Sequence, residues 1–177
     1  MKRTELPRAE ALCAQYLDRT QRVLAAVSGG LDSMCLLHFL RREGYDVSCA
    51  HFNPQLRGAE AARDENFVRA WCEKEGIPFY PGTGDVRAHA RATGKTEEEA
   101  GRDLRYAFLR ETAKSLGAQI ALAHHLDDNA ETVLLNLVRG TDLRGLCGMR
   151  PKQGDIARPF LEQTREELVA YARAHNI

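Results

Sequence analysis

The chain lacks three features that would fix its chemistry early. Its five cysteines stand alone at positions 13, 35, 49, 72 and 147, with no C-x-x-C among them. That pattern argues against a zinc ribbon, an iron–sulfur centre or a disulfide frame, and it suits a reducing cytoplasm. There is no net charge, because 25 Lys and Arg balance 25 Asp and Glu. No overall field therefore draws nucleic acid or membrane to the chain, and an RNA partner has to be met by local patches. Nor is there an apolar run of membrane-spanning length, and the opening M-K-R-T-E-L-P-R-A-E has no signal-peptide core. The expectation is a cytoplasmic protein with no membrane partner. Internal repeats and low-complexity linkers are also missing, and 177 residues suit a single domain with a real core.

What is present alternates. The short apolar run 23–27, flanked by a turn, reads as a buried parallel strand, and 47–52, 77–80, 119–123 and 156–160 read as further strands. Between them lie helical segments at 33–42, 60–75, from Thr96 onward, 127–138 and from Thr164 onward. Gly76 suits a helix C-terminus. Thr96 with Glu99 and Thr164 with Glu167 are capping boxes, and Ala100, Leu104, Ala107 and Phe108 then recur on one helical face. Strand–helix alternation implies an α/β fold: a doubly wound, Rossmann-like parallel sheet of about five strands with helices on both faces. Ligands of such folds sit beyond the carboxyl ends of the strands.

The first strand runs into Ser28-Gly29-Gly30-Leu31-Asp32-Ser33. A Walker loop needs a lysine, and none is here. Two glycines, a helix N-terminus and two hydroxyls still suit an anion. Asp32 would repel a bare phosphate, so its place makes sense with Mg²⁺ between them. The plainer alternative is a glycine turn in which Asp32 and Ser33 cap the helix.

S-G-G-L-D-S resembles the PP-loop of the N-type ATP pyrophosphatases, which transfer AMP to a substrate oxygen and release pyrophosphate. Three further stretches narrow the resemblance: H-F-N-P-Q-L-R-G-A-E at 51–60, E-A-G-R-D-L-R-Y at 99–106, and A-H-H-L-D-D-N-A-E-T-V-L-L-N-L-V-R-G at 123–140. Together with G-L-C-G-M-R-P and R-P-F-L they are similar, in order and spacing, to the tRNA(Ile)-lysidine synthetase family. The resemblance implies an adenine nucleotide alpha hydrolase-like fold, with ATP and Mg²⁺ as cofactors. It implies tRNA(Ile) with a CAU anticodon and L-lysine as partners, and a carbon–nitrogen ligase that makes lysidine. Oligomeric state stays open, a homodimer among the arrangements. Ser28, Gly29, Gly30, Leu31, Asp32, Ser33, His51 and Asn53 are the expected nucleotide-binding residues. Asp32 is the expected metal ligand, and Asp32, Arg102, Arg105, His125 and Asp128 are the expected catalytic residues.

Several of these residues carry a reading of their own. Arg102 and Arg105 are helix neighbours that can stand in for the absent lysine on pyrophosphate, or form a solvated face paired with Glu98 or Glu99. His124, Asp128 and Glu131 share one helical side, as do His125, Asp128 and Thr132. The aspartates also simply suit a helix start. Asn53 lines the pocket or opens an Asn-Pro turn. Residues 139–158 hold five basic and two acidic residues, either an RNA contact or an ordinary surface loop. Two positions depart from the family pattern: Pro54 replaces a usual histidine, and Gly101 a commoner alanine. The family's C-terminal region has no counterpart before Ile177, so the expectation is one catalytic domain over 1–177, lacking that region. The alternatives are a tRNA thiolase of the same superfamily, or a nucleotide-binding module without turnover.

Overall fold

The computed structural model describes residues 6–56, 59–140 and 147–177. Its elements run α1 (Pro7–Tyr16), β1 (Val23–Ala26), α2 (Leu31–Arg42), β2 (Val47–Asn53), α3 (Ala59–Glu75), β3 (Phe79–Thr83), α4 (Val86–Thr93) and α5 (Glu97–Leu116). They continue with β4 (Gln119–Ala121), α6 (Leu126–Val138), β5 (Lys152–Gln153), β6 (Ile156–Ala157) and α7 (Arg165–His175). The sheet order is β3-β2-β1-β4-β6-β5. Every pairing is parallel except β5 with β6 at one edge. Five parallel strands match the number read from the sequence; the sixth is a two-residue hairpin partner.

Strand alternation builds two cores. Val23, Ala25 and Val27 of β1 and its continuation turn to one face, with Val47 and Cys49 of β2. That face is covered by α1, α2, α3 and α7, through side chains such as Leu36, Phe39, Val68, Leu168 and Tyr171. Leu24 and Ala50 turn to the other face, where Leu109 and Ala113 of α5 pack on them. Period-two alternation therefore decides in advance which strand-end side chains meet a ligand on the α5 face.

Local chemistry sets the element ends. Thr96 and Thr164 close α5 and α7 as the sequence predicts, each in a full capping box. Within α5 the buried side is Ala100, Leu109 and Ala113; Ala107, expected on the apolar stripe, is exposed. The expected strand 77–80 lies instead at Phe79–Thr83: it starts after Pro78, which lacks a donor, and runs through Pro81, which the sheet-edge position of β3 tolerates. The expected run 156–160 stops at Ala157, ahead of Pro159. Helices α1 and α4 have no counterpart in the sequence reading. Pro7 starts the first and Asp85 caps the second, accepting from the Ala88 N–H at 2.8 Å. Among the described residues, no helix is long and apolar enough to cross a membrane.

Candidate active site

A cavity of about 260 Å³ opens past the carboxyl ends of β1, β2 and β4, on the α5 face. Its walls are apolar, from Ala26, Ala50, Phe52, Leu109 and Leu122, and its floor is the loop Ser28, Gly30, Asp32 and Ser33. Arg105 and His124 complete it. Apolar walls with a few convergent polar groups are the usual composition of a small-molecule site.

The loop is held open by its own hydroxyls. Ser33 Oγ donates to the Gly30 carbonyl at 2.8 Å and accepts from the Ser28 N–H at 3.1 Å. With its proton committed, Ser33 takes its 3.2 Å contact with Ser28 Oγ as an acceptor. The Gly30 N–H in turn reaches Ser28 Oγ at 3.3 Å. Gly29 adopts φ +93°, which a side chain resists, and a Cβ there would also touch Val68 at 3.5 Å. Gly30 is the N-cap of α2 and offers no side chain to its first turn. The N–H groups of Leu31, Asp32 and Ser33 thus begin a 12-residue helix uncapped, beside the cavity.

Asp32 is the odd group in this floor. Its Oδ2 lies 3.2 Å from Arg165 Nη1 and 3.8 Å from His125 Nε2. Its Oδ1 is buried without a hydrogen-bond partner among the described residues. A buried carboxylate oxygen left bare beside an uncapped helix start fits a cation that arrives with an anionic ligand. No cluster of three or more His, Cys, Asp or Glu side chains among the described residues forms a metal cage. One carboxylate plus waters and phosphate oxygens is, however, how Mg²⁺ is commonly held.

His125 and Asp128 lie at the start of α6. Asp128 Oδ2 accepts from the His125 N–H at 2.9 Å and stands 3.5 Å from its Nε2. Asp127 Oδ2 sits 3.4 Å from His125 Nδ1 and accepts from the Arg165 N–H at 2.9 Å; that bond holds its carboxyl below the usual range. Three carboxylates and Arg165 thus enclose a buried imidazole at the rim of the loop. His124 precedes α6, so the single helical side expected for His124, Asp128 and Glu131 does not form. His124 lines the cavity instead, and Arg158 Nε donates to its Nδ1 at 3.3 Å. Burial, then the Arg158 charge, lowers His124 to about 4. With Nδ1 accepting, its proton is on Nε2.

Other expected residues separate. His51 is buried on the opposite face, where its Nδ1–H donates to the Val27 carbonyl at 2.8 Å and its ring stacks on Phe79. It steadies the strand entering the loop but does not line the cavity; Phe52, one residue on, does. Asn53 Oδ1 accepts from the Gln55 N–H at 2.9 Å, which is the Asn-Pro turn rather than a pocket contact. Arg105 lines the cavity beside the loop, whereas Arg102 lines a second one. Neither is paired with Glu98 or Glu99: both lie over the Tyr106 ring, at 5.5 and 5.6 Å, and Glu99 belongs to the Thr96 box. Part of the basic stretch 139–158 lies outside the described residues; within it, Arg158 is buried. The sequence reading missed Phe52, Arg158 and Arg165. Alternation along β2 signals Phe52, but only the tertiary fold brings the two arginines here.

The chain matches the PP-loop domain model over residues 3–177. It is 44% identical over 151 residues to the tRNA(Ile)-lysidine synthase of Bacteroides thetaiotaomicron, covering 85% of this chain and 35% of that protein. With the enzyme of the same name from Thermotoga maritima it shares 42% over 166 residues, covering 91% and 40%. The chain thus spans well under half the length of these curated relatives. Two solved structures share the fold alone. The U34-tRNA thiolase NcsA of Methanococcus maripaludis matches with TM-score 0.76 at 17% identity, over 96% of this chain and 63% of that one. The NH3-dependent NAD synthetase of Campylobacter jejuni matches at 0.64 and 16%, over 99% and 73%. The loop after β1, the parallel sheet and the end-to-end match agree: this chain belongs to the PP-loop domain family of ATP-using proteins.

Proposed function

We propose that this chain carries the adenylating centre of a tRNA(Ile)-lysidine synthetase, using ATP and Mg²⁺ on the CAU anticodon of tRNA(Ile) with L-lysine as second substrate. The observation that carries the reading is the uncapped start of α2, with the unpartnered Asp32 Oδ1 set in it. Four ordered sequence motifs and the shared identity with lysidine synthases support the choice of substrate.

In this reading the free N–H groups of Leu31, Asp32 and Ser33 receive the phosphates of ATP, and the adenine lies against the apolar walls. Bound Mg²⁺ would neutralise charge on the phosphates, with Asp32 as its protein ligand. The C2 oxygen of the wobble cytidine attacks the α-phosphorus, the bond to the bridging oxygen breaks, and pyrophosphate leaves. Arg105 stabilises charge that develops on the phosphates, and the His124 Nε2–H is a neutral donor to an oxygen nearby. The lysine amine then attacks C2 of the activated base, AMP departs, and the amine's proton is lost to solvent or a nearby base. His125, fenced by Asp127 and Asp128, keeps α6 and the loop in register while this proceeds. Positioning and charge neutralisation supply most of the acceleration.

The test is incorporation of labelled lysine into tRNA(Ile) bearing CAU, with ATP and Mg²⁺, by this chain and by a version extended to the length of its relatives. Lysine on the anticodon cytidine with stoichiometric AMP supports the proposal. Sulfur transfer to tRNA instead would make it a thiolase, and nucleotide binding with no AMP release from either version would make it a binding module.

A further inference from the structure

A second cavity, of about 250 Å³, lies beside the first and is built from cations. Arg102, Tyr106 and Arg110 of α5 form one side, and Gln153 and Arg158 of the β5–β6 hairpin the other. Arg158 is only 4% exposed, yet no carboxylate accepts from it. Its partners are His124 Nδ1 at 3.3 Å, the Arg150 carbonyl at 2.9 Å, Gln153 Oε1 at 3.3 Å and the Tyr106 hydroxyl. A buried guanidinium without a carboxylate is costly to keep charged, and burial does push it below the usual arginine range. Arg102 also has no carboxylate partner among the described residues. Arg110 shares Asp155 at 3.5 Å, in an exposed pair of little strength. The one acid in the lining, Asp103, is already engaged by Lys95, with His89 at 3.9 Å. The Tyr106 ring holds the guanidiniums of Arg102 and Arg110 at 5.5 and 5.7 Å from its centre. Three planar donors gathered around one lining carboxylate that Lys95 already engages leave an excess of positive charge, which matches a phosphate group.

We propose that this cavity is a second phosphate site, distinct from the nucleotide cavity, that takes a backbone phosphodiester of the RNA whose base enters the first. The proposal rests on the tRNA reading above. The Arg158–His124 contact is the wall between the two cavities, and no residue of the Ser28–Ser33 loop lines the second. The triphosphate seated on that loop is therefore held by a different set of donors. Two phosphate sites on the one helix α5, joined by the Arg158–His124 contact, would fix an RNA strand on both sides of the reacting base.

The experiment is fluorescence anisotropy of a labelled CAU anticodon stem–loop, and of one with a scrambled loop, titrated with the protein between 50 and 200 mM salt, in Arg102→Gln, Arg110→Gln and the double variant. Both side chains are exposed, so neither substitution empties the core. Each single variant is expected to lose about tenfold in affinity for both RNAs, and the salt slope to fall by about one. Phosphate contacts carry no sequence information, so both RNAs respond alike, and the site stands on this result even where no lysine reaches RNA. Unchanged RNA affinity and slope in the double variant would overturn the proposal, as would failure of the unsubstituted protein to bind either RNA. Calorimetry with Mg²⁺ and ATP separates the sources: a loss of ATP affinity equal to that for RNA would assign the cavity to nucleotide phosphate and overturn it too.

Discussion

Helices α2 and α5 begin in opposite ways. Thr96 closes α5: its hydroxyl accepts from the Glu99 N–H at 3.2 Å, and Glu99 Oε2 accepts from the Thr96 N–H at 3.0 Å. Thr164 and Glu167 do the same for α7, at 3.2 and 2.9 Å. Gly30 gives α2 no such partner. The first turn of a helix carries donors that something must satisfy, and a side-chain cap stabilises by about 1 kcal/mol. At α5 and α7 the chain uses its own side chains. At α2 no side chain caps the donors, and a bare carboxylate oxygen stands among them; in the proposed function these are the groups a ligand satisfies, with stability forgone where binding is needed.

The largest test of that contrast is Asp32→Asn. Removing the charge should weaken Mg²⁺-dependent ATP binding by roughly ten- to a hundredfold, the scale of a charge-assisted bond of about 1.5–3 kcal/mol. The melting temperature should barely move, because the Arg165 partner is half-exposed and the other carboxylate oxygen is unbonded. Calorimetry with and without Mg²⁺ checks this. Equal affinities for both proteins under both conditions would remove Asp32 from the metal site.

A second test uses pH. His124 is lowered to about 4 in the folded protein, against about 6.5 unfolded. The neutral form is favoured in the fold, so its contribution to stability is complete above about pH 6.5. As pH falls, the unfolded state takes up the proton first, and the contribution is lost progressively down to about pH 4. His124→Asn, which keeps an acceptor for Arg158, should flatten this part of the stability–pH curve, read from urea unfolding at pH 7, 6 and 5. A variant with the same slope as the unsubstituted protein would show that other groups set it.

Thr96→Ala is the converse of Asp32→Asn. It should lower stability by about 1 kcal/mol, or about 2–4 °C in melting temperature, and leave ATP affinity alone. A matching loss of ATP affinity would mean that the two helix starts are not separable.

The same contrast explains what the sequence could show. Capping boxes, the glycine turn and the buried strands are local patterns, and their positions are close to those read from residues alone. Boundaries moved where a proline intervened, at Pro78 and Pro159. The site was legible where its residues are contiguous, at Ser28 to Ser33. It was less so where period-two alternation decides the face. His51 and Asn53 turn away from the cavity while Phe52 lines it, and that follows from β2 once the sheet is known to be covered on both sides. Arg158 and Arg165 were not legible, because each reaches its place from a remote strand or helix: Arg158 touches His124 and Arg165 touches Asp32. Arg102 and Arg105 are three positions apart, yet Tyr106 and the hairpin divide them between two cavities, which no helical spacing reveals.

The smallest expected effect concerns Gly101, which stands inside the well-capped α5. A glycine in a helix interior costs about 0.5–1 kcal/mol relative to alanine, mostly through freedom in the unfolded chain. Nothing local demands it. A Cβ built there would meet Val86 Cγ2 at 3.6 Å and Cγ1 at 3.7 Å, which is ordinary van der Waals contact. Gly101→Ala should therefore stabilise the protein by about 0.5–1 kcal/mol, measured as a higher urea midpoint at unchanged slope. The substitution lies one residue from Arg102 and four from Arg105, so ATP and RNA affinities measured on the same variant ask whether the arginine-bearing helix needs slack. Greater stability with unchanged affinities would make Gly101 a neutral departure from a better helix former. Greater stability with weaker RNA binding would make it functional, α5 having to shift against α4 as the second cavity fills. A lower midpoint would show that Val86 cannot accommodate the methyl group and that close approach of α4 and α5 is what holds the glycine in place.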